Sequence, residues 1–208
     1  MMEHDNIITT ATGGFFNYSH PEKSQINVVD IAHALSNICR FSGHTKHFYS
    51  VAEHSILCYS YCIEFGAGEE VSVSPQTLMY ALMHDAAEAF ISDIPSPFKS
   101  INPVIRVHEV EILSSIFELL ELDLEDADKD LVLAADRYML FKEAKDLLNP
   151  STRFRHVWGP QIAPYPAVVD KMMSNADTEY DMDIQCLDPD QAKATWLSFF
   201  NELRWRRI

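Results

Sequence analysis

Glycine is scarce in this 208-residue chain, at six residues, and β-branched runs are short. Both weigh against a sheet-rich architecture. No run of about 18 uninterrupted apolar residues occurs, so no membrane-spanning helix is expected. Positive charge is also short: 16 Lys and Arg face 31 Asp and Glu, for a net charge of −15. A protein that wraps a nucleic-acid polymer needs a basic surface, and this balance argues against one. A small phosphorylated ligand stays open, provided that Arg, Lys or a metal concentrates positive charge locally. The first residues, Met1-Met2-Glu3-His4-Asp5, are acidic where a secretory leader is basic and then apolar. A cytoplasmic location is expected, host cytoplasm if the gene is carried by a phage. The four cysteines (Cys39, Cys58, Cys62, Cys186) have no zinc-ribbon spacing and read as reduced, small and mostly buried residues.

What the chain has instead is helical periodicity. Residues 1–26 look irregular. Helices are expected over 28–39, capped by Asn27 or Ser24, and over 49–64. A third runs from Pro75 to about Ile91, with two more over 102–122 and 127–148 and a last one over 188–205 that starts near Asp188 or Asp190. Turns or loops separate them at 40–47, 66–74, 92–99 and 151–167. The reading is a single all-α helical bundle over residues 1–208 with no dividing linker.

Polar residues interrupt the apolar faces. In "LMHDAAEAF" (82–90), Ala81, His84, Asp85 and Glu88 share one helical face. His54 shares its stripe with Val51 and Cys58. Asp136 sits among Val132, Leu133, Met139 and Leu140. A lone buried carboxylate costs several kcal/mol unless it finds a partner or a proton. One divalent cation can satisfy His54, His84, Asp85 and Asp136 together, in a cleft between three helices open to water and substrate. Hydrogen-bonded core histidines, with Asp136 paired to Arg137, answer the same pattern. A second His-Asp pair, His4-Asp5, is taken as chance.

The motifs "VAEHS" (51–55), "MHDAAEAFISDIPSPFK" (83–99) and "AADRYML" (134–140) resemble the H…HD…D signature of the HD-domain metal-dependent phosphohydrolases. The "HDxxE" and "DIPxPxK" elements are similar to those of bacterial 5′-deoxynucleotidases. "IAHALSNICRFSGHTKHFYSVAEHS" (31–55) looks like the YfdR-like branch, close to phage dATP triphosphohydrolases of the DatZ type. The resemblance covers about residues 13–148 and implies a single HD-domain bundle with its metal in a central cleft. It makes His54, His84, Asp85 and Asp136 the metal ligands, with Glu88 and Asp93 acting on the attacking water. Arg40 and Lys99 become phosphate contacts, with His44 and His47 as candidates for phosphate contact or for protonating a leaving oxygen. Phe41 and Gly43 are candidates for the base slot, with Phe15, Phe16 and Asn17 weaker ones and Trp158 a candidate lid; each aromatic also reads as ordinary core.

The activity implied is hydrolysis of deoxynucleotide 5′-phosphates by metal-activated water attacking phosphorus, with dATP, dADP and dAMP converted to deoxyadenosine. A 5′-deoxynucleotidase acting on several monophosphates is the alternative, and a non-catalytic metal- and nucleotide-binding module the more remote one. A paired-metal phosphodiesterase fits less well, because His108 is the only histidine between Asp85 and Asp136. The expected cofactor is a divalent metal (Co, Mn, Zn, Fe or Ni), with a second Mg or Co arriving with substrate phosphates. A homo-oligomer, dimer or hexamer, is the implied assembly.

Overall fold

A computed structural model of the chain describes residues 6–68, 72–124, 127–149 and 183–205. It is built on helices, as the periodicity predicts. In chain order they are α1 (Val28–Asn37), α2 (Val51–Gly68), α3 (Pro75–Met83), α4 (Glu88–Ile91), α5 (Ser96–Ile101), α6 (Val104–Leu119), α7 (Lys129–Leu147) and α8 (Pro189–Trp205). Among the described residues no helix is long and apolar enough to cross a membrane. Trp158, with the whole of the expected 151–167 loop, and His4-Asp5 lie outside the described residues.

The starts of these helices follow from side chains that hold otherwise unpaired N–H groups. Asn27 Oδ1 accepts from Asp30 N at 2.9 Å, Ser74 Oγ from Thr77 N at 3.0 Å, and Asp128 Oδ1 from Leu131 N at 3.0 Å. Asp188 and Gln191 close a reciprocal pair at the head of α8.

Four expectations need correction. Residues 1–26 are not wholly irregular: β1 (Ile7–Thr9) and β2 (Phe15–Asn17) form an antiparallel hairpin with Ile8 opposite Phe16. Phe16 is fully buried and stacks on Phe90 at 4.1 Å, so tertiary packing holds strands too short to announce themselves. Residues 66–68 continue α2. The third helix does not run unbroken to Ile91. It stops at Met83, and residues 84–87 turn more tightly, with Ala86 N on Met83 O and Glu88 N on Asp85 O. The break redirects two carbonyls to side chains: Ala81 O accepts from His84 Nδ1 at 2.8 Å and Leu82 O from Trp196 Nε1 at 3.2 Å. The 92–99 segment also gives way, at Ser96, to the short α5.

α2 lies at the centre, packed against α1, α3, α7 and α8. The largest fully buried side chains include Trp196, Tyr49, Phe16, Phe200 and Met139. The C-terminal helix is tied to this centre by a buried acid. Glu53 accepts from Gln185 N and Cys186 N at 2.9 Å each on one oxygen, and from Leu187 N at 2.7 Å on the other. A glutamine there presents an NH2 group to one of these donors. Glu53→Gln is therefore expected to cost about 1–3 kcal/mol, read as a lower denaturant midpoint; an unchanged midpoint refutes the clamp.

Candidate active site

His54 is fully buried on α2, and both its ring nitrogens face α7. Asp136 and Glu143 are seven residues apart, so two helical turns bring them to one face. Glu143 Oε1 lies 2.6 Å from His54 Nδ1, and Asp136 Oδ1 lies 3.3 Å from His54 Nε2. With Nδ1–H donated to the Glu143 carboxylate, Nε2 is turned toward the cleft for a ligand.

Glu143 is the residue that sequence reasoning missed. It has no exposure, and it also accepts from Tyr49 Oη at 2.8 Å and Arg40 Nε at 3.1 Å. Burial by itself raises its pKa, but Arg40 and His54 outweigh burial and hold it down at about 2. Burial and Arg40 push His54 down, yet Cys58, Glu143 and Asp136 keep it well above the usual imidazole value. Burial likewise raises Asp136, while His54, His84 and Arg137 pull it far below the usual carboxylate range.

The turn that breaks α3 aims the other two predicted ligands. Donation from His84 Nδ1 to Ala81 O fixes its tautomer and leaves Nε2 as an acceptor. That Nε2 is buried and has no hydrogen-bond partner among the described residues. Asp85 Oδ2 lies 3.4 Å from it, 3.7 Å from His54 Nε2 and 3.7 Å from Arg40 Nη1. Two N or O ligands held about 2.0–2.2 Å from one cation lie roughly 3–3.6 Å apart in tetrahedral or octahedral geometry. The separations of 3.3, 3.4 and 3.7 Å are near that range. An orphaned imidazole nitrogen, a second imidazole and two carboxylates thus fit a divalent metal. Cys58, one turn beyond His54, brings its Sγ to 3.5 Å from the same Nε2.

In front of these groups opens a cavity of about 450 Å³, a size suited to a nucleotide-sized ligand. Of the predicted residues, Arg40, Phe41, Asp85, Glu88, Asp93, Lys99 and Asp136 line it. Glu88 is buried, with Oε1 3.5 Å from Lys99 Nζ and Oε2 without a hydrogen-bond partner among the described residues. Burial first, then Asp85 and Asp93, push its pKa well up, against the pull of Arg40 and Lys99. Ser92 adopts φ 70°, a backbone region that non-glycine residues rarely visit, immediately before Asp93. Phe41 is also left-handed, at φ 54°, with its ring 5.6 Å from the Arg40 guanidinium.

The structure does not bring every candidate to the cavity. Gly43 and His44 are exposed outside its lining, and His47 lines a different depression with residues 184–189. Phe16 is core, and Phe15 and Asn17 lie in β2 outside the cavity lining. Lys99 is paired with Glu109 as well as Glu88, so its charge is partly engaged. Arg106 and Arg137 also line the cavity, though sequence reasoning gave neither a substrate role.

The HD domain family model matches residues 34–145. The uncharacterized protein YfdR of Escherichia coli (strain K12) is 40% identical over 143 residues, covering 68% of this chain and 72% of that one. An uncharacterized protein of Rhodobacter capsulatus is 35% identical over 82 residues, covering 38% of this chain and 40% of its own. Among solved structures, the cyanophage S-2L HD phosphohydrolase (DatZ), bound to dA and one catalytic Zn2+, has a TM-score of 0.52 at 20% identity. The match covers 86% of this chain and 98% of that one, a likeness of fold.

Glu143→Gln keeps the volume but removes the charge that orients His54. Metal affinity is expected to fall about 10–100-fold, measured by equilibrium competition with a chelator. Unchanged affinity removes Glu143 from the site.

Proposed function

The chain belongs to the HD-domain family, and on that premise we propose that it is a metal-dependent phosphohydrolase of deoxynucleotide 5′-phosphates. The observation that carries the reading is the buried His84 Nε2, without a hydrogen-bond partner among the described residues and 3.4 Å from Asp85, which itself lines a cavity of nucleotide size. His54, His84, Asp85 and Asp136 would hold the divalent cation. When bound, it supplies Lewis acidity that brings the pKa of water toward neutrality and offsets charge on phosphoryl oxygens.

The chain's own groups supply the rest. Glu88, buried and held above the usual carboxylate range by burial and by Asp85 and Asp93, takes the proton that the attacking water loses. The water oxygen bonds to phosphorus as the bond from phosphorus to the 5′ oxygen breaks, and a proton from solvent on that oxygen completes the nucleoside product while Glu88 returns its proton to solvent. Asp93, beside Glu88 in the cavity wall, helps orient the water. Arg40 is held by Glu143 through Nε, leaving its Nη groups on the Asp85 side for phosphate oxygens. Phe41 offers a face to the base.

Within this class dATP and its lower phosphates are the proposed substrates, with deoxyadenosine as product. The support is the DatZ-like character of residues 31–55 and the fold shared with a protein bound to dA. The second reading, a 5′-deoxynucleotidase on several monophosphates, is favoured by the "HDxxE" and "DIPxPxK" elements. Metal-free protein supplied in turn with Co, Mn, Mg and Zn and given a panel of mono- and triphosphates separates them. Preference for dATP with deoxyadenosine released supports the first, and turnover of monophosphates across bases replaces it with the second.

His84→Ala and Asp85→Ala are each expected to lose both bound metal and hydrolysis; if both are kept, the site is wrong. Glu88→Gln should retain the metal while kcat falls about 10²–10⁴-fold. An unchanged kcat takes the proton-transfer role away from Glu88.

A further inference from the structure

Cys58 has no part in the four-residue ligand set, yet it stands against it. It lies one helical turn after His54 on α2, with no exposure. Its Sγ is 3.5 Å from His54 Nε2, the nitrogen turned toward the cleft. The donor atoms of His54, Cys58 and His84 all lie within 4.8 Å of one another. A sulfur bound about 2.3 Å and a nitrogen bound about 2.0–2.1 Å from one ion are separated by roughly 3.5 Å at the tetrahedral angle. The observed 3.5 Å matches that separation, while the 4.0 Å from Sγ to Nδ1 sets the sulfur beside the ring, so ligation takes a rotation about the Cys58 Cα–Cβ bond. The neighbouring His84 Nε2, buried and without a hydrogen-bond partner among the described residues, shows independently that a ligand is wanted at this point.

We propose that Cys58 is a further metal ligand, a thiolate at the inner face of the cation site that selects Zn2+ or Co2+ over Mn2+ or Mg2+. The inference rests on the metal site proposed above and adds a member to it. Its chemistry follows from softness. An all-N/O set of two imidazoles and two carboxylates accepts many divalent ions, whereas a thiolate favours the borderline-soft ones and is a poor partner for Mg2+ and Mn2+. On binding, the thiol proton is exchanged for the ion and leaves to solvent. Cys39, Cys62 and Cys186 are also free, but none of them belongs to a donor cluster among the described residues.

The test is spectroscopic and does not depend on turnover. Metal-free full-length protein is titrated with Co2+ to one equivalent, and the near-ultraviolet region is read for a thiolate-to-cobalt charge-transfer band. The same titration is run on Cys58→Ser and Cys58→Ala, and Zn2+ and Mn2+ affinities are measured by competition. The expected result is a band in the wild type that is absent from both variants, which still bind one Co2+. The ratio of Zn2+ to Mn2+ affinity should fall by at least about tenfold in the variants, by analogy with losses on removing groups that support a metal. Stoichiometric Co2+ with no such band, or a band that survives in either variant, overturns the role of Cys58 and leaves the four-residue site standing. Failure of the wild type to bind Co2+ overturns both.

Discussion

The site depends on one ionised carboxylate in the core. Glu143 has no exposure, yet it accepts hydrogen bonds from a guanidinium, a phenol and an imidazole. A buried charge is tolerated only when its attractions exceed the cost of leaving water, and three donors converging on two oxygens meet that condition. Arg40, Tyr49 and His54 come from the turn after α1 and the start of α2, and Glu143 from α7. One residue therefore fixes the register of the segments that bring the Arg40 guanidinium and the His54 ring together.

A second device complements it. An unbroken α3 would offer the carbonyls of Ala81 and Leu82 to N–H groups one turn later. The tight turn at 84–87 releases them, and each is taken by a side chain, His84 in one case and Trp196 in the other. The first fixes the tautomer of a candidate ligand. The second ties the ligand turn to α8, outside the 34–145 stretch matched by the family model. The C-terminal helix thus supports the site without contributing a residue to the cavity wall.

Much of this was legible in the sequence, for a physical reason. His54, His84, Asp85 and Asp136 stand out because polar groups on apolar helical faces need an explanation, and the helices were readable from their period. Glu143 was not, because "FKEAKD" reads as a solvated charge run and nothing local shows that its glutamate points inward. The break in α3 hides for a similar reason: residues 84–87 keep a helical spacing of apolar positions while the hydrogen bonds change. The hairpin at 7–17 depends on Phe16 meeting Phe90, a contact that local propensity cannot show. Arg106 lies beyond the 83–99 motif and Arg137 inside "AADRYML", and only packing places the two around one cavity.

Glu53 carries a consequence for the order of events during synthesis. Its three backbone partners follow it by 132 to 134 residues, and it precedes the buried His54 directly. At about 5–20 residues per second, roughly 7 to 26 seconds separate the emergence of this acid from that of the amides that satisfy it. Through that interval the central helix holds an acid whose eventual partners do not yet exist, which favours a solvent-accessible, incompletely packed α2. A nascent chain interrupted before residue 185 therefore lacks all three donors to Glu53, and this clamp closes only once that stretch has been made.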